Sequence, residues 1–154
     1  MSKGQPLGYQ PATEEDGALL DAARSAIRKR YRYGSHHVGA AVRTRSCAVF
    51  TGVHLETTVG RAAVCAEPIA IGAAITAEGP GTIVAVAAVR HPDPESPLTD
   101  LYTVPPCGIC RELIADHAPE AVIVLEDEHG QLVRRPNLEL LPHKYDPHPA
   151  PETK

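Results

Sequence analysis

The chain has 154 residues, 43% apolar and 22% charged, with a formal net charge of −4. That length holds one domain with a real core, and the acidic balance offers no electrostatic footprint for a nucleic-acid backbone. No run approaches the ~18 apolar residues of a membrane span, and the opening MSKGQPLGYQ lacks the apolar stretch of a secretion signal, so a cytoplasmic, reducing home is expected.

Residues 1–12 carry glycine and proline and read as a flexible start. Thr13 followed by Glu14, Glu15 and Asp16 reads as a capped helix start. Leu19, Leu20, Ala23, Ala26 and Ile27 follow at helical spacing, and Arg28-Lys29-Arg30 suits a solvated C-terminus. Residues 38–43 and 47–55, parted by Thr44-Arg45-Ser46, read as a hairpin, with Cys47 a small buried side chain of its second strand. Residues 65–78 form a mostly apolar helix stopped by Gly79-Pro80-Gly81. TIVAVAAV, at 82–89, is a continuous apolar run that fits a strand buried on both faces.

The three prolines within 91–97 make that stretch a loop, and 106–117 reads as a helix opened by proline. Residues 121–125 read as a buried strand, 128–131 as a turn, Leu132-Val133 as a further strand and 138–141 as a short helix. The proline-rich stretch 146–154 reads as a flexible tail. Long apolar strands alternating with helices argue one three-layer α/β/α domain over 13–145, with no internal repeat.

Four cysteines stand at 47, 65, 107 and 110. In a reducing setting a close pair plus a third points to metal before disulfides. Cys107 and Cys110 are three apart at a helix start, which lets two thiolates face one ion, and the helix N-terminus favours their negative charge. Cys65 also sits at a helix start. Three protein ligands would leave tetrahedral Zn²⁺ one open position. Glu67, two residues after Cys65, can serve that position without binding the metal. A carboxylate beside a metal-activated water can take its proton and hand it to a leaving group. This is the His-or-Cys, x-Glu, Pro-Cys-x-x-Cys arrangement of zinc deaminases.

The chain resembles the cytidine deaminase family, including its blasticidin S deaminase branch, over residues 13–145. VCAE and PCGICR are similar to the family's two zinc motifs. HHVGAAV at 36–42, FTGVHLE at 50–56 and LLPHKY at 140–145 resemble three flanking segments, and the eight residues between Glu56 and Cys65 match the family spacing. The resemblance implies a central mixed sheet, a zinc ion on Cys65, Cys107 and Cys110, and Glu67 as the catalytic proton shuttle of a hydrolytic deamination. It implies a pocket for a small nucleoside or related amino-heterocycle, with Glu56, His54, Ala66 and His36 as substrate-binding candidates. It also implies a homotetramer in which Tyr145 takes the place of a C-terminal aromatic that reaches a neighbouring subunit.

Several positions depart from the family pattern. His54 replaces an asparagine, His36 an aromatic, and Pro68 an arginine that would offset the charge of three thiolates; Arg111 or Arg61 are the candidates to compensate. The zinc chemistry stays in place and the substrate stays open: cytidine, deoxycytidine or an analogue first, a blasticidin S-type or other specialised amine second. Zinc-stabilised binding without turnover is a further alternative. Nucleic-acid editing is disfavoured by the acidic balance and by cysteine at position 65.

Overall fold

A computed structural model describes residues 8–147. A seven-stranded mixed sheet runs in the order β1-β7-β6-β4-β2-β3, with β5 pairing the end of β4. The strands are β1 (Gln10–Pro11), β2 (Val38–Thr44), β3 (Val49–Val53), β4 (Ile83–Arg90), β5 (Tyr102–Thr103), β6 (Val122–Glu126) and β7 (Leu132–Pro136). Only β4 and β6 pair in parallel; the other pairings are antiparallel.

Strand alternation divides the core into two layers. Ala41, Ala85, Ala87, Val89 and Val124 pack under α1 (Glu14–Arg30), against Leu19, Leu20, Ala23 and Ile27. Ala40, Val42, Val86, Ala88 and Ile123 pack on the other face, under α2 (Ala66–Glu78) and α3 (Gly108–His117). The three-layer α/β/α expectation therefore holds. Ala40 and Ala41 of β2 and Ala85, Ala87 and Ala88 of β4 keep the middle of the sheet thin, so the helices ride close to it. A Cβ on Gly52 of β3 would lie 2.7 Å from the backbone of Ala66 and Ala70, so only glycine lets α2 rest this close to the strand.

Thr13 caps α1 through a reciprocal pair: its hydroxyl accepts from the Asp16 N–H at 3.3 Å, and the Asp16 carboxylate accepts from the Thr13 N–H at 3.0 Å. Asp16 is fully buried, and its carboxylate lies 3.1 Å from Arg43 on β2 and 2.9 Å from Arg134 on β7. One buried acid thus ties the helix start to two strands.

The structure corrects two expectations and adds two elements. Within the stretch read as loose, Gln10 and Pro11 pair with Arg134 and Val133; proline, lacking an N–H, is tolerated at this sheet edge. The rest of that stretch before Gly8, and the tail after Pro147, lie outside the described residues. Cys47 is exposed rather than buried. It has φ 67° in a tight turn where its N–H donates to the Thr44 carbonyl, and β3 begins only at Val49. The turn needs a left-handed residue, and that demand moves Cys47 out of the strand. β5 and a 3₁₀ turn at Gly60–Ala62 lie in stretches that carried no expectation of structure.

Candidate active site

β3 and β4 run parallel to each other on either side of β2, so their carboxyl ends meet at one edge of the sheet. The chain leaves β3 through His54, crosses the 3₁₀ turn, and enters α2 with Cys65 as N-cap. It leaves β5 through Val104-Pro105-Pro106 and enters α3 with Cys107 as N-cap. Two helix starts therefore converge, as the spacing predicts. Neither cap residue makes a side-chain cap hydrogen bond, which leaves both thiols free to point elsewhere.

They point at each other. The sulfurs of Cys65, Cys107 and Cys110 lie within 4.8 Å of one another, and Cys65 Sγ is 3.7 Å from Cys107 Sγ. A tetrahedral zinc with thiolates at ~2.3 Å holds its sulfurs about 3.8 Å apart, so this donor set fits the ion in both chemistry and spacing. Cys110 is fully buried, Cys65 partly buried and Cys107 exposed.

The electrostatics agree with a site built for a dication. Burial pushes the Cys110 thiol far above the ordinary thiol range, and the charges of Glu67, Cys107 and Cys65 push it further. Cys65 is raised by burial and by the Cys107 thiol. Burial also works against Cys107, but the Cys110 and Ile109 N–H groups at the start of α3, with the other two thiols, bring it below its usual value. A coordinated metal relieves this crowding, because a ligating thiol gives up its proton outright.

Glu67 is 4% exposed on the first turn of α2. Burial holds its carboxyl above the usual carboxylate range, against a smaller opposing effect of its own backbone hydrogen bond and the Cys110 thiol. It opens onto a cavity of about 120 Å³ lined by Val38, His54, Cys65, Ala66, Glu67, Val104, Pro105 and Cys107.

Among the substrate-binding candidates, Ala66 and His54 stand on this wall. Burial keeps His54 below its ordinary pKa, which outweighs the attraction of Glu56, so the ring is neutral near pH 7. Its Nδ1 is buried without a hydrogen-bond partner, and its Nε2 lies 3.6 Å from the Glu56 carboxylate. Glu56 is therefore at the rim and exposed. His36 stands behind the wall, its Nδ1 2.8 Å from the His54 carbonyl oxygen. Of the other walls, Val38 lies in the segment HHVGAAV and Pro105 is a further departure from the family pattern before the second motif, while Val104 went unread in the sequence. The one signal for the last two is their place directly before the second cysteine motif.

Neither candidate for charge compensation reaches a thiol by hydrogen bond. Arg111 donates to the Pro106 and Leu140 carbonyls, both at 2.8 Å, and Arg61 is exposed in the 3₁₀ turn.

A three-layer α/β/α domain that brings three thiols and a buried carboxylate together at two helix starts has the makings of a zinc-dependent hydrolytic deaminase. Comparison with known proteins agrees. The family described as the cytidine and deoxycytidylate deaminase zinc-binding region matches residues 13–126. A blasticidin-S deaminase of Bacillus cereus is 41% identical over 133 residues, covering 86% of this chain and 94% of that one. A cytidine deaminase of Halalkalibacterium halodurans is 32% identical over 111 residues, covering 71% and 77%. The crystal structure of a cytidine deaminase from Burkholderia pseudomallei superposes with a TM-score of 0.69 at 30% identity, over 87% of this chain and all of that one. The chain belongs to the cytidine deaminase family and is a zinc-dependent deaminase.

Proposed function

We propose that this chain hydrolyses the exocyclic amine of a free cytosine nucleoside, cytidine, deoxycytidine or an analogue, and releases ammonia. Cys65, Cys107 and Cys110 hold the zinc, and Glu67 carries the protons. The observation that carries this reading is the juxtaposition of three mutually close sulfurs with a buried carboxylate on one small cavity.

Bound there, zinc supplies a water of lowered pKa as the nucleophile. Glu67 takes the proton released when that water attacks the amino-bearing carbon. It gives that proton to the adjacent ring nitrogen, then takes the water's second proton from the newly added hydroxyl and gives it to the departing amine, so that the carbonyl forms as ammonia leaves. Burial raises its pKa above the usual carboxylate range, which favours the return of each proton it takes. The cavity, at about 120 Å³, is below the ~300–1,000 Å³ of drug-sized sites, so it admits one small heterocycle and leaves the rest of the substrate across the rim. There His54, whose Nε2 faces the Glu56 carboxylate, and Glu56 itself offer hydrogen-bonding groups to the sugar hydroxyls. The Ala66 backbone forms the floor, and His36 steadies His54 through its carbonyl.

The second reading, a blasticidin S-type substrate, is favoured by the 41% identity to the Bacillus cereus enzyme and by His54 and Pro68 at departing positions. Ammonia release from cytidine, deoxycytidine, cytosine and blasticidin S decides between them. Turnover of cytidine or deoxycytidine supports the first, and turnover of blasticidin S alone replaces it with the second.

The assembly that goes with this reading is a cytoplasmic homotetramer with no membrane or nucleic-acid partner. It is supported by a groove of about 570 Å³ along the edge strand β3, between α1 and α2, where Ile69 stays exposed, and by the 74% exposed Tyr145. Light scattering that returned a monomer would remove it.

A further inference from the structure

The residue after the last thiol makes more contacts than a bystander would. Arg111 lies in α3 directly behind Cys110. Its N–H donates to the Cys107 carbonyl at 2.9 Å. Its Nε donates to the Pro106 carbonyl at 2.8 Å, and its Nη1 donates to the Leu140 carbonyl at 2.8 Å. Its own carbonyl accepts from Asn137 Nδ2 at 2.9 Å. Asn137 is fully buried, and its N–H donates to the Ala121 carbonyl at 3.2 Å, so that side chain is referenced to the central sheet. Further along, Lys144 holds Asp116 at 2.9 Å and Glu112 at 3.5 Å, which seats the chain after Leu140 on α3.

Resting on the zinc assignment above, we propose that Arg111 is a positioning residue for the metal loop. It locks the peptide entering Cys107 and the residue leaving Cys110 onto the C-terminal segment 137–141. The geometry supports this over a general adhesive role. The Pro106 carbonyl belongs to the peptide unit that opens Cys107, and any rotation of that unit swings the Cys107 sulfur. Residue 111 fixes the other end of the Cys107–Cys110 span. The guanidinium thus holds the entry of the span and refers it to a separate element, while Asn137 of that element holds the exit through the Arg111 carbonyl. A planar fork can serve two carbonyls at once; a lysine ammonium on a flexible stem cannot reproduce that geometry. The same contacts aim the guanidinium at carbonyls rather than at the thiols: its Nε and Nη1 are engaged by Pro106 and Leu140.

The test compares zinc-loaded wild type with Arg111→Met, Arg111→Lys and, as a control, Thr13→Ala, which removes the α1 cap on the opposite face of the sheet. Three quantities are read: the rate of zinc transfer to a chromogenic chelator, the thiolate and d–d absorption bands of the Co²⁺-substituted protein, and the Tm. Residues that orient metal ligands typically change metal affinity by roughly 10- to 100-fold. Arg111→Met is expected to release zinc faster by that factor and to shift the Co²⁺ bands. Arg111→Lys is expected to fall between, and Thr13→Ala to lower the Tm while leaving release and bands alone. Wild-type release with unchanged bands in Arg111→Met overturns the proposal. So does a Thr13→Ala protein that sheds zinc as fast at an equal loss of Tm. If Arg111→Met does not fold, the same two readouts on Arg111→Lys decide: faster release with shifted bands supports the proposal, and wild-type behaviour overturns it. A wild-type protein that binds no zinc at all would instead sink the metal assignment itself.

Discussion

Replacing Glu67 by glutamine separates the chemistry of the site from its architecture. Glutamine keeps the length of the side chain and the start of α2, and it removes only the ionisable group. General acid–base catalysis is worth about 10²–10⁴ in rate, or roughly 3–5.5 kcal/mol of barrier. The structure places this case at the upper end. Glu67 is 4% exposed, so bulk water cannot stand in for it, and the same carboxyl is assigned both the uptake and the delivery of protons. We expect turnover to fall by about 10⁴ with zinc content unchanged. Stability moves the other way. Because burial raises the folded-state pKa of Glu67, its ionised form costs stability above that pKa, and the cost fades as pH falls through it towards the unfolded value. Glutamine removes the cost at neutral pH, so Glu67→Gln should match or exceed the wild-type Tm at pH 7 and lose that advantage near pH 4. Ammonia release, metal analysis and thermal melts at the two pH values read all three effects. A glutamine variant with full zinc and more than a tenth of wild-type turnover would refute the proton-shuttle assignment.

Other perturbations follow from the packing. Gly52→Ala forces a Cβ to within 2.7 Å of the α2 backbone, which should cost about 1–3 kcal/mol and lower turnover as Ala66 and Glu67 are displaced; unchanged turnover in a folded variant would contradict it. Asp16→Ala leaves Arg43 and Arg134 without their shared partner. A loss of about 3–5 kcal/mol, or a Tm lower by about 10 °C, is expected, and a change under ~2 °C would show the pair to be dispensable. Zinc affinity should rise with pH. Cys65 and Cys110 have raised thiol pKa values and must each release a proton to coordinate, so competition with a chelator should weaken binding about 100-fold per pH unit on acidification. A pH-independent affinity would show that the thiols are not the ligands.

The layers were readable in the sequence because period and length carry them. The apolar run at 82–89 fits a strand covered on both faces, and the apolar positions of α1 recur on one stripe. The site was readable because its residue types are costly without a purpose and stand at helix starts. What escaped lacks local cause. β1 and β5 are two residues long and exist only through pairing with β7 and β4. Cys47 has the composition of a strand residue, and a turn overrides it. Arg111 could be weighed as a counter-charge, but its carbonyl partners at 106 and 140 are far apart in sequence, and only the folded chain brings them to one guanidinium.

That arrangement bears on how three thiolates are tolerated. The two helix starts are unequal donors. Cys107 is followed by Gly108, Ile109 and Cys110, all with free N–H groups, and the N–H groups of Ile109 and Cys110 help to lower its pKa. Cys65 is followed by Ala66, Glu67 and Pro68, so its third helical residue offers no N–H, its second carries a carboxylate, and its thiol is raised. Negative charge is therefore best supported at α3 and least at α2, the side where Glu67 stands. An arginine in place of Pro68 would even out this asymmetry, and it would also lower the pKa of the carboxyl beside it. With proline there, burial keeps the Glu67 carboxyl above the usual carboxylate range, and stabilising the thiolates falls to the start of α3, the segment that Arg111 is proposed to hold in place.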